Sequence, residues 1–333
     1  MPPSPPTPCQ SPPISYMDID FTYCDKEIDL LEATKSLQDC PILFFDCEGE
    51  DMGVQSGHLW LISLGTALPE SQRIYLLDVL AIGTEGLKPI FDILVSNQIQ
   101  KVVFDGRMDQ SALYHEYGVT MQNVLDLQLA DIKSRPRRGE KRGSKEQLDR
   151  LLRYIPRSEI DAHRELYQKV QKLAGLGEAV REHKVKVDEV GLATKASGRD
   201  IEWTNPPSRE LLIYAANDIR LITSLWSHLA QSGYLDKGLP AESLRYVTIW
   251  NGRQPGQEEI YKRHGLLPLN ILDPVSDRNT LRCTGCERDL PQDSFLKWEQ
   301  NKPNKRKCGV CRAIGIHIKI QTKRQRKKEA KRL

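Results

Sequence analysis

The chain has 333 residues, 39% of them hydrophobic and 28% charged, which is enough apolar content for one large domain plus a small module. Its net charge of +3 hides an asymmetry: residues 302–333 hold 13 Lys and Arg against one acid, Glu329, and carry +12, leaving the preceding residues at −9. No apolar stretch is long enough to span a bilayer, so no membrane partner is expected, and the basic end is expected to meet a polyanion.

Residues 1–24 open with MPPSPPTPCQSPPI, which has neither the charged start nor the apolar run of a secretory leader. They are expected to be Pro-rich and disordered, in a protein of intracellular, reducing location. KEIDLLEATKSLQ (26–38) reads as an amphipathic helix and PILFFDCE (41–48) as a buried central strand. HLWLISLGTA (58–67) and RIYLLDVL (73–80) read as an antiparallel continuation, with turn chemistry at PESQ between them. A helix over 86–97, a strand over 101–106 and a helix from Asp109 to Tyr117 capped by Gly118 follow. Residues 124–132 read as a strand and then a helix, completing a mixed α/β pattern. The run KSRPRRGEKRGSK (133–145) holds seven basic residues and one acid and is expected to be a mobile loop near the substrate path. The charged stretch 158–203 reads as a helical surface, and residues 208–233 as a strong helix.

Asp46 and Glu48 stand two apart on the first strand, so its period of two puts both on one face. Like charges on an apolar strand are costly unless a cation neutralises them, and carboxylate oxygens suit Mg²⁺ or Mn²⁺. Tyr214 and Asp218 are four apart and share one face of a helix.

FDCEGE, LWLISLG, VVFDGRMDQSALYHEYGV and EWTNPPSRELLIYAANDIRLI, taken in that order, resemble the DEDDy pattern of the 3′–5′ exonuclease superfamily over roughly residues 25–235. The superfamily includes ribonuclease D and Werner-type exonucleases, and the likeness is closest to its Egalitarian-like, exonuclease-domain-containing branch. Trp203, Pro206 and Pro207 ahead of Tyr214 and Asp218 match the order of its last motif. The resemblance implies a ribonuclease H-like (DnaQ-like) mixed sheet flanked by helices. It implies two Mg²⁺ or Mn²⁺ ions bound by Asp46, Glu48, Asp109 and Asp218, about 3.5–4 Å apart. Tyr214 would orient the attacking water, since a phenol with a reference pKa near roughly 10 is a poor free base. The implied reaction releases nucleoside 5′-monophosphates from the 3′ end of RNA or DNA. Phe104 stands where many relatives have His, and Asp105 reads equally as support for the ligands or as a strand-end cap. His58 and His115 read as structural or surface residues.

Cys283, Cys286, Cys308 and Cys311 form two CxxC pairs 21 residues apart, the pattern of a structural zinc site. A module this small needs its metal to fold, with Leu290, Phe295 and Trp298 as its expected mini-core. The expected organisation is an exonuclease domain over 25–240, a linker over 241–279, the zinc module over 280–316 and a basic tail over 317–333. The module would grip nucleic acid or a protein partner, and the last basic run reads as a nuclear localisation signal. The rival reading is a weak or inactive nucleic-acid-binding scaffold on the same fold. Retention of all four acids and the tyrosine favours the enzyme.

Overall fold

The computed structural model describes residues 19–67, 72–187, 192, 206–257, 259, 264–272 and 279–330. In chain order, β1 (Thr22–Cys24), α1 (Glu27–Leu37), β2 (Ile42–Glu50), β3 (His58–Thr66) and β4 (Ile74–Asp78) come first. They are followed by α2 (Val79–Gly86), α3 (Lys88–Val95), β5 (Gln100–Val103), α4 (Arg107–Tyr117), β6 (Val124–Asp126) and α5 (Leu127–Ser134). Short helices α6 (Lys145–Asp149), α7 (Arg157–Ala162), α8 (Arg164–Tyr167) and α9 (Leu176–Glu182) lead to the long α10 (Arg209–Gln231) and to α11 (Leu239–Val247). The C-terminal part holds β7 (Thr280–Arg282), β8 (Asp289–Pro291), α12 (Lys297–Gln300) and α13 (Gly309–Glu329).

Among the described residues the main sheet has the order β1-β4-β3-β2-β5-β6. β2 pairs antiparallel with β3 and parallel with β5, as the mixed pattern of the sequence requires. Alternation along β2 divides the interior in two. Leu43, Phe45 and Cys47 enter one core, packed by α1, α3 and α4. Phe44 enters the other, where its ring meets Trp226 of α10 edge-on at 5.6 Å. Each fully buried side chain of this size contributes about 1.5–3 kcal/mol.

α10 starts at Ser208, whose hydroxyl accepts the Leu211 N–H, and buries Leu211, Ala215, Ile219, Ile222, Leu225 and Leu229 at helical spacing. Its close approach to the sheet depends on Gly65 of β3. A Cβ there would fall 2.4 Å from Cγ2 of Ile219. Gly118 ends α4 in the left-handed conformation at φ 70°, as its position in the sequence predicts.

Four expectations change. Residues 22–24, assigned to a disordered start, form the edge strand β1, paired parallel to β4 and anchored by Tyr23 donating to Asp78 at 2.5 Å. Three residues are too few to show a period, and it is the open edge of β4 that selects them. The basic run 133–145 is tied down rather than free. Arg135 is 2% exposed and pairs with Asp131, which also binds Arg138 and His183. Arg137 donates to the Gly233 carbonyl, and Arg150 bridges Glu140 and Glu182.

The stretch 158–203, expected as a charged helical surface, is core-forming over 158–170, while 188–191 and 193–203 lie outside the described residues. Ile160, Leu166, Tyr167 and Val170, together with Leu148 and Leu151, share one apolar cluster with Leu266, Leu269 and the cysteine module. Ion pairs of Arg312 with Glu159 and of Lys169 with Asp293 rim this contact. Residues 241–279, expected as a linker, supply α11, whose Tyr246 and Val247 are fully buried. The expected PESQ turn (apart from Gln72), Trp203 and most of residues 1–24 lie outside the described residues.

Candidate active site and metal centres

The candidate ligands sit on β2, the first turn of α4 and one face of α10. Carboxylate oxygens of Asp46, Glu48 and Asp218 lie within 4.8 Å of one another. Asp46 and Glu48 share the face of β2 that carries Phe44, which is the face α10 covers, so the helix delivers Asp218 opposite them. Tyr214, half-buried, stands one turn before Asp218 on the same side of the helix.

Asp109 joins from the side. β5 stops at Val103 and pairs with β2 only as far as Phe44, which leaves the β2 edge open beyond it. There Oδ1 of Asp109 accepts the N–H of Cys47 at 2.9 Å, directly between the two carboxylate positions. Burial pushes the Asp109 carboxyl up to about 7, helped by Asp105 and Asp126 and opposed by its backbone hydrogen bonds. Just past Glu48 the register slips at Gly49, whose Cβ would meet the His58 carbonyl oxygen at 2.0 Å.

The donor set is entirely carboxylate oxygen, and Asp218 and Asp109 are 1% and 6% exposed. Asp46 and Glu48 are half-buried, and with the buried Asp218 they form a cluster of like charges that needs a counter-charge, which hard divalent cations with oxygen preference supply, whereas Asp109 stands beside this cluster and not within its 4.8 Å. The residues therefore fit divalent metal.

Behind this site lies a network that the sequence reading missed. Asp105, at φ 60°, holds Arg107 through bonds of 2.5 and 2.8 Å. Burial alone would lower the Arg107 pKa, but Asp105 beside it outweighs that and keeps the guanidinium charged. Arg107 lies over the Tyr246 ring at 5.0 Å, and the Tyr246 hydroxyl donates to Gln128 at 2.6 Å. Asp126 accepts the N–H groups of Asp105, Gly106 and Gln128, and its own N–H donates to Ser243 at 2.8 Å. α11 is thus bolted to the turn that launches α4 and Asp109. Arg107 and Asp105 were visible in the motif, whereas nothing local marks Tyr246. His115 binds the Trp250 carbonyl at 2.9 Å and His58 is exposed, as expected for structural and surface residues.

At the other centre the sulfur atoms of Cys283, Cys286, Cys308 and Cys311 lie within 4.8 Å of one another. None of the four is in a disulfide. The N–H of Cys308 points at the sulfur of Cys283 at 3.3 Å, a contact that favours thiolate. Four sulfurs suit a closed tetrahedral zinc site. Leu290 and Phe295 are buried beside it, but Trp298 is 51% exposed, which corrects its place in the expected mini-core.

Mixed-sheet topology, clustered carboxylates and a Tyr-x₃-Asp helix define the class of DEDD exonuclease folds. A 3′–5′ exonuclease family profile matches residues 21–233, and the chain belongs to that family. Among curated proteins it is similar to piRNA biogenesis protein EXD1 of Mus musculus, 28% identical over 142 residues, covering 38% of this chain and 24% of that protein. The Xenopus laevis protein of the same name is 29% identical over 101 residues, or 30% and 22% of the two chains. The match thus spans about a quarter of those relatives' length. Among solved structures, Trypanosoma brucei RNase D superposes with a TM-score of 0.50 at 20% identity, covering 86% of this chain and 91% of the other. Its complex with RNA U12 gives 0.50 at 21% identity, over 85% and 89%. These likenesses show the fold, and the DEDD family to which the chain belongs uses divalent metals. Among the described residues no helix is long and apolar enough to cross a membrane.

Proposed function

We propose that this chain removes nucleotides from the 3′ end of RNA or DNA by metal-dependent phosphodiester hydrolysis. The observation that carries the reading is the convergence of Asp46, Glu48 and Asp218, from elements 170 residues apart in sequence, within 4.8 Å. Divalent Mg²⁺ or Mn²⁺ held by these residues with Asp109 would supply Lewis-acid stabilisation and a lowered pKa for water. Asp109, bound to the Cys47 N–H, fixes the start of α4 against β2, so the carboxylates are held in place before substrate arrives. Tyr214 orients the attacking water from the face it shares with Asp218. The carboxylates are acceptors only, so they exclude a bare phosphate unless cations intervene.

Residues 25–240 would form the catalytic part, and residues 280–316 a structural zinc module whose basic extension, 317–333, attracts the polyanion or a protein partner. The names of the curated relatives make RNA the substrate to test first. The test is digestion of RNA and DNA labelled at the 5′ end, with Mg²⁺ or Mn²⁺, beside an Asp46→Asn/Glu48→Gln control. A ladder shortening from the 3′ end and absent in the control is the expected result. Intact strands bound by folded protein under every metal condition would install the scaffold reading instead. Residues 317–333 fused to a fluorescent protein should direct it to the nucleus, and an even distribution would remove that address.

A further inference from the structure

Trp298 is the second most exposed large hydrophobic side chain among the described residues, at 51%, in a module too small to leave apolar surface idle. The module does not need it. Leu290 and Phe295, at 0% and 4% exposure, fill its centre with Val310, Ala313 and Ile314, and this core runs on into Leu166, Tyr167 and Val170.

The chain immediately around the ring is strongly basic, and Asp293, the acid that precedes it, is paired with Lys169. Residues 296–307 contain Lys297, Lys302, Lys305, Arg306 and Lys307 and a single acid, Glu299. Glu299 is 2% exposed and engaged by Arg312 at 3.3 Å, so it offers no negative charge to solvent. The four lysines are exposed, and Lys302 Nζ stands 5.2 Å from the Trp298 ring centroid. An apolar protein partner would have to desolvate these ammonium groups around the anchor, and interface cores are depleted in lysine. An exposed aromatic face inside a cationic field is instead what a single strand takes, with one base on the ring and the flanking phosphates on the cations. A duplex, its bases already stacked, has no face to offer.

We propose that Trp298, with Lys297, Lys302, Lys305 and Lys307, is a base-stacking platform for single-stranded nucleic acid. It gives the chain a contact on its substrate strand separate from the carboxylate site. The inference rests on the exonuclease reading for the strand's identity as substrate, but its binding step can be measured without turnover.

The experiment uses the full chain carrying Asp46→Asn/Glu48→Gln and a fluorescein-labelled 20-mer of oligo(U), with a blunt 20-base-pair duplex as comparison. Trp298→Ala should weaken the single strand roughly 5- to 150-fold, the worth of one base stack. Trp298→Phe should recover most of that loss, and duplex binding should not move. The salt dependence of Trp298→Ala should keep the parent's slope, whereas Lys297→Ala/Lys302→Ala should flatten it by roughly 1.4. Equal affinity of Trp298→Ala and parent for oligo(U), in variants with matching thermal melts, would overturn the proposal. An equal loss on duplex would overturn it too, in favour of bare phosphate attraction, as would a protein that binds the Trp298 face and does not compete with oligo(U). Trimming in the active chain is scored separately. Its absence with a Trp298 effect sinks only the exonuclease reading, and its presence without one sinks only the platform.

Discussion

The Asp105–Arg107 pair behind the candidate site gives the sharpest test of how α4, the helix that carries Asp109, is held. The Arg107 side chain is 4% exposed and that of Asp105 is 32% exposed. Exposed pairs contribute about 0–1 kcal/mol, whereas removing one partner of a buried pair costs about 3–5 kcal/mol because the other charge is stranded. Arg107 lies at the buried end of that range, and the partial exposure of Asp105 admits some water. Asp105→Asn should therefore cost about 3 kcal/mol. Arg107→Met strands only a carboxylate that water can reach, and should cost about 1–2 kcal/mol. The double variant should cost less than the sum by at least about 1 kcal/mol, since neither charge is then left alone. The backbone adds a second signature. At φ 60° a Cβ is disfavoured, so Asp105→Gly should be milder than Asp105→Ala by about 1 kcal/mol, the reverse of the usual order. Urea unfolding of the parent and the five variants measures all of this. Additive single costs, or a loss under about 0.5 kcal/mol for Asp105→Asn, would refute the account of a buried, coupled pair.

Three further outcomes are expected. Gly65→Val should press on Ile219 and push α10 from the sheet, lowering turnover at least about tenfold through Asp218 and costing about 1–3 kcal/mol, with far-UV circular dichroism unchanged. Among the described residues His264 has no hydrogen-bond partner on either ring nitrogen, and burial holds its pKa down to about 4, with His317 and Arg107 adding to the effect. The unfolded chain therefore takes up the proton first. The contribution of the neutral ring is complete above pH 6.5 and is lost as pH falls towards about 4. His264→Phe should flatten the pH–stability curve by about 1–2 kcal/mol across that window, after allowance for partial exposure, and an unchanged curve would exclude His264 as the cause. Phe295→Ala should cost about 3–5 kcal/mol, and Cys283→Ser should abolish zinc retention. Either change should open residues 148–170 to protease, because those helices share the module's core, and full protection there would contradict the shared core.

Much of the site was legible because its logic is local. The period of two in ILFFDCE places Asp46 with Glu48, and four-residue spacing places Tyr214 with Asp218. Gly118 and the burial of α10 could likewise be read from pattern. The C-terminal cysteines announced themselves by spacing. Arg135 was not legible, since a Lys- and Arg-rich run reads as solvated until the Lys172 carbonyl, Glu182 and the Gly233 carbonyl are brought to it by the fold. Leu166, Tyr167 and Val170 were hidden among charged neighbours, because the surface that buries them belongs to residues more than 90 positions later.

By itself the sequence determined the order of β2 to β6 and of the long helix α10, the candidate acids and the presence of a four-cysteine cluster, all of which follow from spacing within a single element or motif. Tertiary structure decided the rest: that Asp109 closes the open edge of β2, that α11 is bolted to the turn bearing Asp105 and Arg107, and that the cysteine module leans on α7 and α8. It also decided that Trp298 faces solvent. Such facts depend on which distant surfaces meet, and one face of one helix carries no record of its partner.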